Sequence, residues 1–181
     1  DEIAANARLY QSHGRAPGDY FESVGSGEYI SLGTNLRISD LTAAIGCAQM
    51  EKVDELIDGR QAAAKYMNDR LAEIDSVRVP SPIDGGTHVY QLYTVQFDQN
   101  IDRQIVIDTL EEHGVSSKIY WDTPVHETHY YRETMDGPAP NTPTTEEMAD
   151  RILSLPIYPD LSPGQADRIV AAVKEGVRRG Q

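Results

Sequence analysis

A stripe of apolar residues at helical spacing, Val53, Leu56, Ile57, Ala64, Met67, Leu71 and Ile74, constrains this chain more than any other feature. These positions follow the i, i+3, i+4, i+7 rule, with Lys and Asp on the remaining faces, so the helix must bury one side. The next segment supplies a surface to bury it on. In His88 to Phe97, the residues Val89, Tyr93, Val95 and Phe97 alternate with more polar neighbours, as a half-buried strand does. Asp102 is placed to cap a helix running to about His113, with Gly114 behind it, and Val115 to Tyr120 has the β-branched and aromatic bias of a second strand. The order over this stretch is strand, helix, strand.

Local signals mark the other elements. Two helices, or one kinked helix, are predicted over 39–74, with Gly59 as the expected break and Ser39 and Asp40 as N-terminal acceptors. Thr144-x-x-Glu147 and Ser162-Pro163-x-Gln165 read as capping boxes, the second opening a helix lined by Ala166, Ile169, Val170, Val173 and Val177. Between them, Ser154 to Pro159 is too rich in proline for an interior strand and reads as an edge or extended segment. Asp1 to His13, with Gly14 as its C-cap, looks like the last helix of something larger. Pro17-Gly18, Gly25-Ser26-Gly27 and Gly33 then make 15–38 extended and loop-rich, and 121–143 is a second long connection, of the kind that is functional or mobile.

Composition excludes some roles. With 16 basic against 29 acidic residues and a net charge of -13, the chain is a poor partner for nucleic acid or anionic membranes, both of which demand a positive patch. It has no run of about 18 apolar residues and no signal peptide pattern, so a cytoplasmic location is expected. The single cysteine, Cys47, lies between small residues in a helical pattern and is expected to serve packing.

Among polar residues, Asn35 and Arg37 stand two apart in an extended loop, where an amide and a guanidinium fork can face one anion. By spacing alone, a structural salt bridge explains so short a pattern more readily. Asp122, His126 and His129 could form a metal site, but hydrogen bonding to a ligand's hydroxyls accounts equally well for these residue types, and no metal ligand is assigned. His88, Tyr90 and Tyr93 are expected to pack with satisfied polar tips.

Three blocks carry a resemblance. Gly33 to Gly46 reads G-x-N-x-R-x-[ST]-D-x-x-A-A-x-G, Tyr120 to Tyr131 reads [HY]-Y-x-x-P-x-H-x-x-x-x-Y with Trp121 in place of the usual Tyr, and Leu153 to Pro159 reads L-S-L-P-x-Y-P. Together they resemble the DegT/DnrJ/EryC1/StrS family of pyridoxal-phosphate-dependent sugar aminotransferases. The resemblance implies the C-terminal portion of a fold-type-I enzyme: a two-layer α/β small domain, with a small, mostly antiparallel sheet covered by helices and an N-terminal interface segment. It divides the chain into the end of the large domain with an interface loop, 1–38, and the small domain with its long linking helix, 39–181.

The resemblance also implies roles. Asn35 would reach the pyridoxal 5'-phosphate of the other subunit of a homodimer, and Arg37 an acidic amino donor, glutamate above all, or a substrate group. Tyr120, His126 and Tyr131 would meet a nucleotide-linked keto sugar. Transamination needs a Schiff-base lysine. Neither Lys52, Lys65, Lys118 nor Lys174 stands in a loop like the family's, whose lysine lies upstream of the segment matched by Asp1 to Gly14. The chain alone is therefore expected to be inactive, with no catalytic residue of its own. The alternatives are a sugar dehydrase of the same family, in which histidine replaces that lysine, and a non-catalytic binding or dimerisation module.

Overall fold

The computed structural model describes residues 2–16, 28–138 and 140–181. The chain divides into two compact units, Asp1–Lys52 and Val53–Gln181.

In the first unit, helix α1 (Glu2–Tyr10) stops before the expected end at His13. His13 and Gly14 both take positive φ, 61° and 73°, and reverse the chain there. The Gly14 amide donates to Leu9 O at 2.8 Å and its carbonyl accepts from Ile30 N at 2.9 Å. A Cβ on Gly14 would run into the Ser31 carbonyl, so only glycine fits both the conformation and the space. The extended pieces meet as isolated bridges, Ser12 with Asn35 and Arg15 with Tyr29. Helix α2 (Asp40–Met50) starts where expected, with Ser39 Oγ accepting from Thr42 N at 3.3 Å. Neither helix has a buried residue among those described. Cys47 is accordingly exposed, a correction to its expected packing role: its helix neighbours Leu41 and Ile45 are exposed too, so no core surrounds it. The turns at Pro17-Gly18 and Gly25-Ser26-Gly27 lie outside the described residues.

The second unit holds the core. Helix α3 (Val53–Leu71) is followed by β1 (Val77–Arg78), β2 (Tyr93–Phe97), α4 (Arg103–Glu112), a 3-10 turn (Val125–Glu127), α5 (His129–Thr134), α6 (Pro143–Arg151), β3 (Ile152–Leu155) and α7 (Pro163–Gly180). The sheet is antiparallel in the order β1, β2, β3, with Val77 opposite Phe97 and Tyr93 opposite Leu155. Tyr93, Val95 and Phe97 point inward from the central strand, and α7 packs against both α3 and α4. Ala64, Met67 and Leu71 of α3, Val106 and Leu110 of α4, and Ala172 and Val173 of α7 are all fully buried in the resulting cluster. The small antiparallel sheet covered by helices is the expected architecture.

Capping at two helices follows the sequence closely. Asp102 accepts from Gln104 N at 2.8 Å at the start of α4, and Ser162 with Gln165 forms the full capping box of α7. Helix α6 differs: its N-cap is Thr142 with Pro143 at the first turn, so Thr144 and Glu147 lie inside the helix. Proline there has a φ already suited to the helix and lacks an N–H the helix does not need, and it sets the start ahead of the expected box.

Three other expectations change. The strand foreseen from His88 begins only at Tyr93, because Tyr90 adopts φ 47° and its N–H donates to His88 Nδ1 at 2.9 Å, which breaks the pleat. Val115 to Tyr120 forms no strand; Lys118 alone pairs with Ser154, by N–H···O bonds of 3.0 and 2.8 Å, at the outer side of β3. Gly59 is not a break. The helices part at Glu51 and Lys52, and Gly59 lies inside α3, where its missing Cβ admits the backbone of Pro159.

That approach yields a prediction whose sign opposes helix propensity. Gly to Ala within a helix ordinarily stabilises by about 1 kcal/mol. At Gly59 the new Cβ would lie 2.8 Å from Pro159 O and 3.0 Å from its Cα, both backbone atoms held in place. We expect Gly59→Ala to lower stability by about 1–2 kcal/mol, the scale of overpacking. Urea denaturation showing a gain would mean the Pro159 segment yields freely.

Tyr93 and His88 satisfy their polar groups as foreseen. The Tyr93 hydroxyl donates to Asn68 Oδ1, and burial, aided by neighbouring Tyr90, pushes the phenol above its ordinary range, so it remains a neutral donor.

Candidate functional site

The loop entering α2 is tied to the end of α1 by backbone bonds from Thr34 N to Tyr10 O (2.8 Å), His13 N to Thr34 O (3.1 Å) and Leu36 N to Gln11 O (3.0 Å). These bonds hold Asn35 at the surface. Its Oδ1 accepts from Arg37 N at 3.2 Å and from Arg37 Nε at 3.3 Å. The two residues singled out by their spacing are therefore joined, through a turn of the Asx kind. The amide nitrogen of Asn35 makes no hydrogen bond among the described residues.

Arg37 lines a cleft of about 230 Å³ with Ser12, His13, Arg15 and Tyr29. Arg15 donates to the Tyr29 hydroxyl at 2.9 Å, and its guanidinium lies 5.3 Å from that ring's centroid. Two guanidinium groups thus line one small cleft in a chain of net charge -13. Arg15 and Tyr29 were missed by sequence reasoning. They are 14 residues apart and meet only through an isolated bridge, which leaves no periodic signal.

In the second unit, Tyr120 and Trp121 open the long connection and line a largely apolar cavity of about 400 Å³ with Pro124, Val125, Met148 and Ile152. Their rings meet edge to face at 5.8 Å, and Trp121 is 75% exposed. His126 and Tyr131 are not among that cavity's lining. His126 lies on the 3-10 turn with its side chain 12% exposed, its Nε2 3.2 Å from Glu146 Oε1. Tyr131 is in the first turn of α5, its N–H donating to the capping Thr128 Oγ1 at 3.4 Å. The same connection thus carries Tyr120, His126 and Tyr131 but presents them in different surroundings.

Asp122, His126 and His129 do not converge. Asp122 lies 3.6 Å from Arg103 and His129 lies 3.3 Å from Glu133. Arg103, which no motif marked, also donates to the carbonyls of Ala149 and Ile152. It thereby ties the start of α4 to the end of α6.

The sequence model of the DegT/DnrJ/EryC1/StrS aminotransferase family matches residues 1–174. The chain belongs to that family. Among solved structures, it is similar to the aminotransferase TlmJ from Streptoalloteichus hindustanus, at 26% identity and TM-score 0.77 over 98% of this chain and 45% of that one. DesV of S. venezuelae, solved in complex with a ketimine intermediate, matches at 26% identity and TM-score 0.81 over 99% and 45%. DesI, solved in the presence of its TDP-sugar product, matches at 26% identity and TM-score 0.78 over 99% and 44%. The chain spans under half the length of each of these relatives.

The family is pyridoxal-phosphate-dependent. The residues present suit part of that cofactor. An exposed amide beside an arginine fits a phosphate; of the four lysines, Lys65 pairs with Asp69 at 3.1 Å on α3, Lys118 is in the bridge beside β3, Lys174 is on α7 and Lys52 is in the turn after α2. Among the described residues, no helix is long and apolar enough to cross a membrane.

Proposed function

We propose that this chain contributes one wall of a cofactor site, and separately residues for substrate, to a cytoplasmic, homodimeric enzyme that transfers an amino group from glutamate to a nucleotide-linked keto sugar. Family membership supports the reaction class, and the joined Asn35 and Arg37 at an exposed loop carry the assignment of the wall. When bound, pyridoxal phosphate supplies an electron sink that makes the amino transfer possible.

The chain's own residues bind and orient. Asn35, its oxygen fixed by Arg37, donates from its amide nitrogen to the cofactor phosphate of the neighbouring subunit. Arg37 and Arg15 draw an anionic group, the donor's carboxylate or a substrate phosphate, into their cleft. Tyr120, His126 and Tyr131 offer hydrogen bonds and ring surface to the sugar-nucleotide. Exposed Leu32, Leu36, Ile38, Leu41 and Ile45 along that loop and helix support a second subunit as partner, because exposed large apolar residues concentrated in one segment mark an interaction surface. With no anchoring lysine, these residues by themselves perform no transamination.

Cofactor retention tests the reading. In the full-length protein, Asn35→Ala is expected to weaken pyridoxal phosphate binding about tenfold, the loss of about 1.4 kcal/mol from one hydrogen bond to a charged acceptor. Dialysis followed by cofactor fluorescence measures it. Unchanged retention would remove Asn35 from the cofactor site.

A further inference from the structure

Three ligand atoms, one each from His126, Glu127 and Glu146, lie within 4.8 Å of one another. We propose that this cluster is a binding site for a first-row divalent cation, Zn²⁺ or Mn²⁺. Its members come from two elements of one compact unit. His126 and Glu127 are on the 3-10 turn at Val125–Glu127, and Glu146 is in the first turn of α6.

The chemistry of the set carries the assignment. One imidazole and two carboxylates form a mixed nitrogen and oxygen donor set, which suits zinc and manganese and discriminates against magnesium, whose preference is for oxygen and water. The imidazole is well positioned, with its side chain only 12% exposed and Thr142 Oγ1 3.1 Å from Nε2. Thr142 Oγ1 also lies 3.4 Å from Glu146 Oε1, so a bound ion would take over ligand atoms that the hydroxyl now contacts. The two carboxylates repel across this short distance. Arg132 lies 3.8 Å from Glu127 and is the one guanidinium ion-paired to either carboxylate of the cluster among the described residues. A divalent ion would neutralise both at once.

The ion would fasten the 3-10 turn to α6 and so brace the connection between Tyr120 and Tyr131. Three protein ligands leave coordination positions open. With the ion bound, His126 would act on the substrate of the proposed function through the ion's remaining positions instead of by its own hydrogen bond. The ligand set itself does not depend on that function, and zinc or manganese alone tests it.

Titration of the full-length protein with Zn²⁺ and with Mn²⁺, followed by calorimetry and elemental analysis after dialysis, is expected to give one bound ion per chain. His126→Ala and Glu146→Gln should each weaken binding by about 100-fold. His129→Ala, which removes a neighbouring imidazole 86% exposed and paired with Glu133, should leave it unchanged. Should His126→Ala fail to fold, Co²⁺ added to the unsubstituted protein gives the same answer: a visible band displaced by Zn²⁺ is expected. No stoichiometric binding, or binding that survives both His126→Ala and Glu146→Gln, would overturn the site and leave an ordinary His126–Glu146 ion pair. Neither outcome alters the Asn35 retention assay, so the two readings fail separately.

Discussion

Phe97→Ala is expected to cost about 3–5 kcal/mol of stability, the range for truncating a fully buried aromatic side chain. Phe97 is 1% exposed, at the end of the central strand opposite Val77, and belongs to the cluster formed with the inner faces of α3, α4 and α7. Removing the ring loses its transfer free energy and leaves a cavity that a close-packed cluster collapses only partly to fill. Most domains are stable by only about 5–15 kcal/mol, so the variant should unfold at markedly lower urea concentration. Phe97→Leu, which keeps most of the volume, should lose much less. Ile83→Ala serves as the comparison, because Ile83 is 83% exposed and its truncation should change stability by under about 0.5 kcal/mol. Equal losses at Phe97 and Ile83 would show that the cluster around β2 is not the stabilising core.

The second large effect concerns Arg37. In the full-length protein, Arg37→Ala is expected to lower kcat/KM by about 10- to 150-fold, corresponding to about 1.5–3 kcal/mol for charged hydrogen bonds. Two contributions add. The guanidinium is lost from the cleft it shares with Arg15, and Asn35 Oδ1 loses the Nε–H bond of 3.3 Å that orients its amide. Arg37→Lys should recover only part of the loss, since an ammonium restores the charge but not the planar fork that also reaches Asn35. Substituting both Asn35 and Arg37 should cost less than the sum of the single effects, because the side chains are in contact. Additive losses would indicate that the two residues serve separate ligands. Full recovery by lysine would indicate a charge effect alone.

The helix starts were legible because a cap is a contact among residues a few positions apart. Ser39, Asp102 and Ser162 each accept from an amide two or three residues along, and those pairs are visible as letters. The amphipathic stripe of α3 and the inward alternation of β2 were equally readable, since periodicity records which face is buried. Gly59 misled because its reason for being glycine lies 100 residues away in the carbonyl of Pro159. The segment Val115 to Tyr120 has strand propensity, yet it pairs with its neighbour only through Lys118 and Ser154 before the chain turns into the long connection.

For the candidate site, the sequence by itself determined the family, through blocks of local pattern, and placed Asn35 and Arg37 together in one of them. Their hydrogen bond, two residues apart, was within its reach. The tertiary structure alone decided that Arg15 and Tyr29 join Arg37 at one cleft, and that His126 turns to Glu127 and Glu146 rather than to Asp122 and His129. The division has a physical reason. Caps, stripes and turns are fixed by bonds spanning a few residues, whereas a cleft is made where distant segments are brought together by burying surfaces elsewhere in the fold.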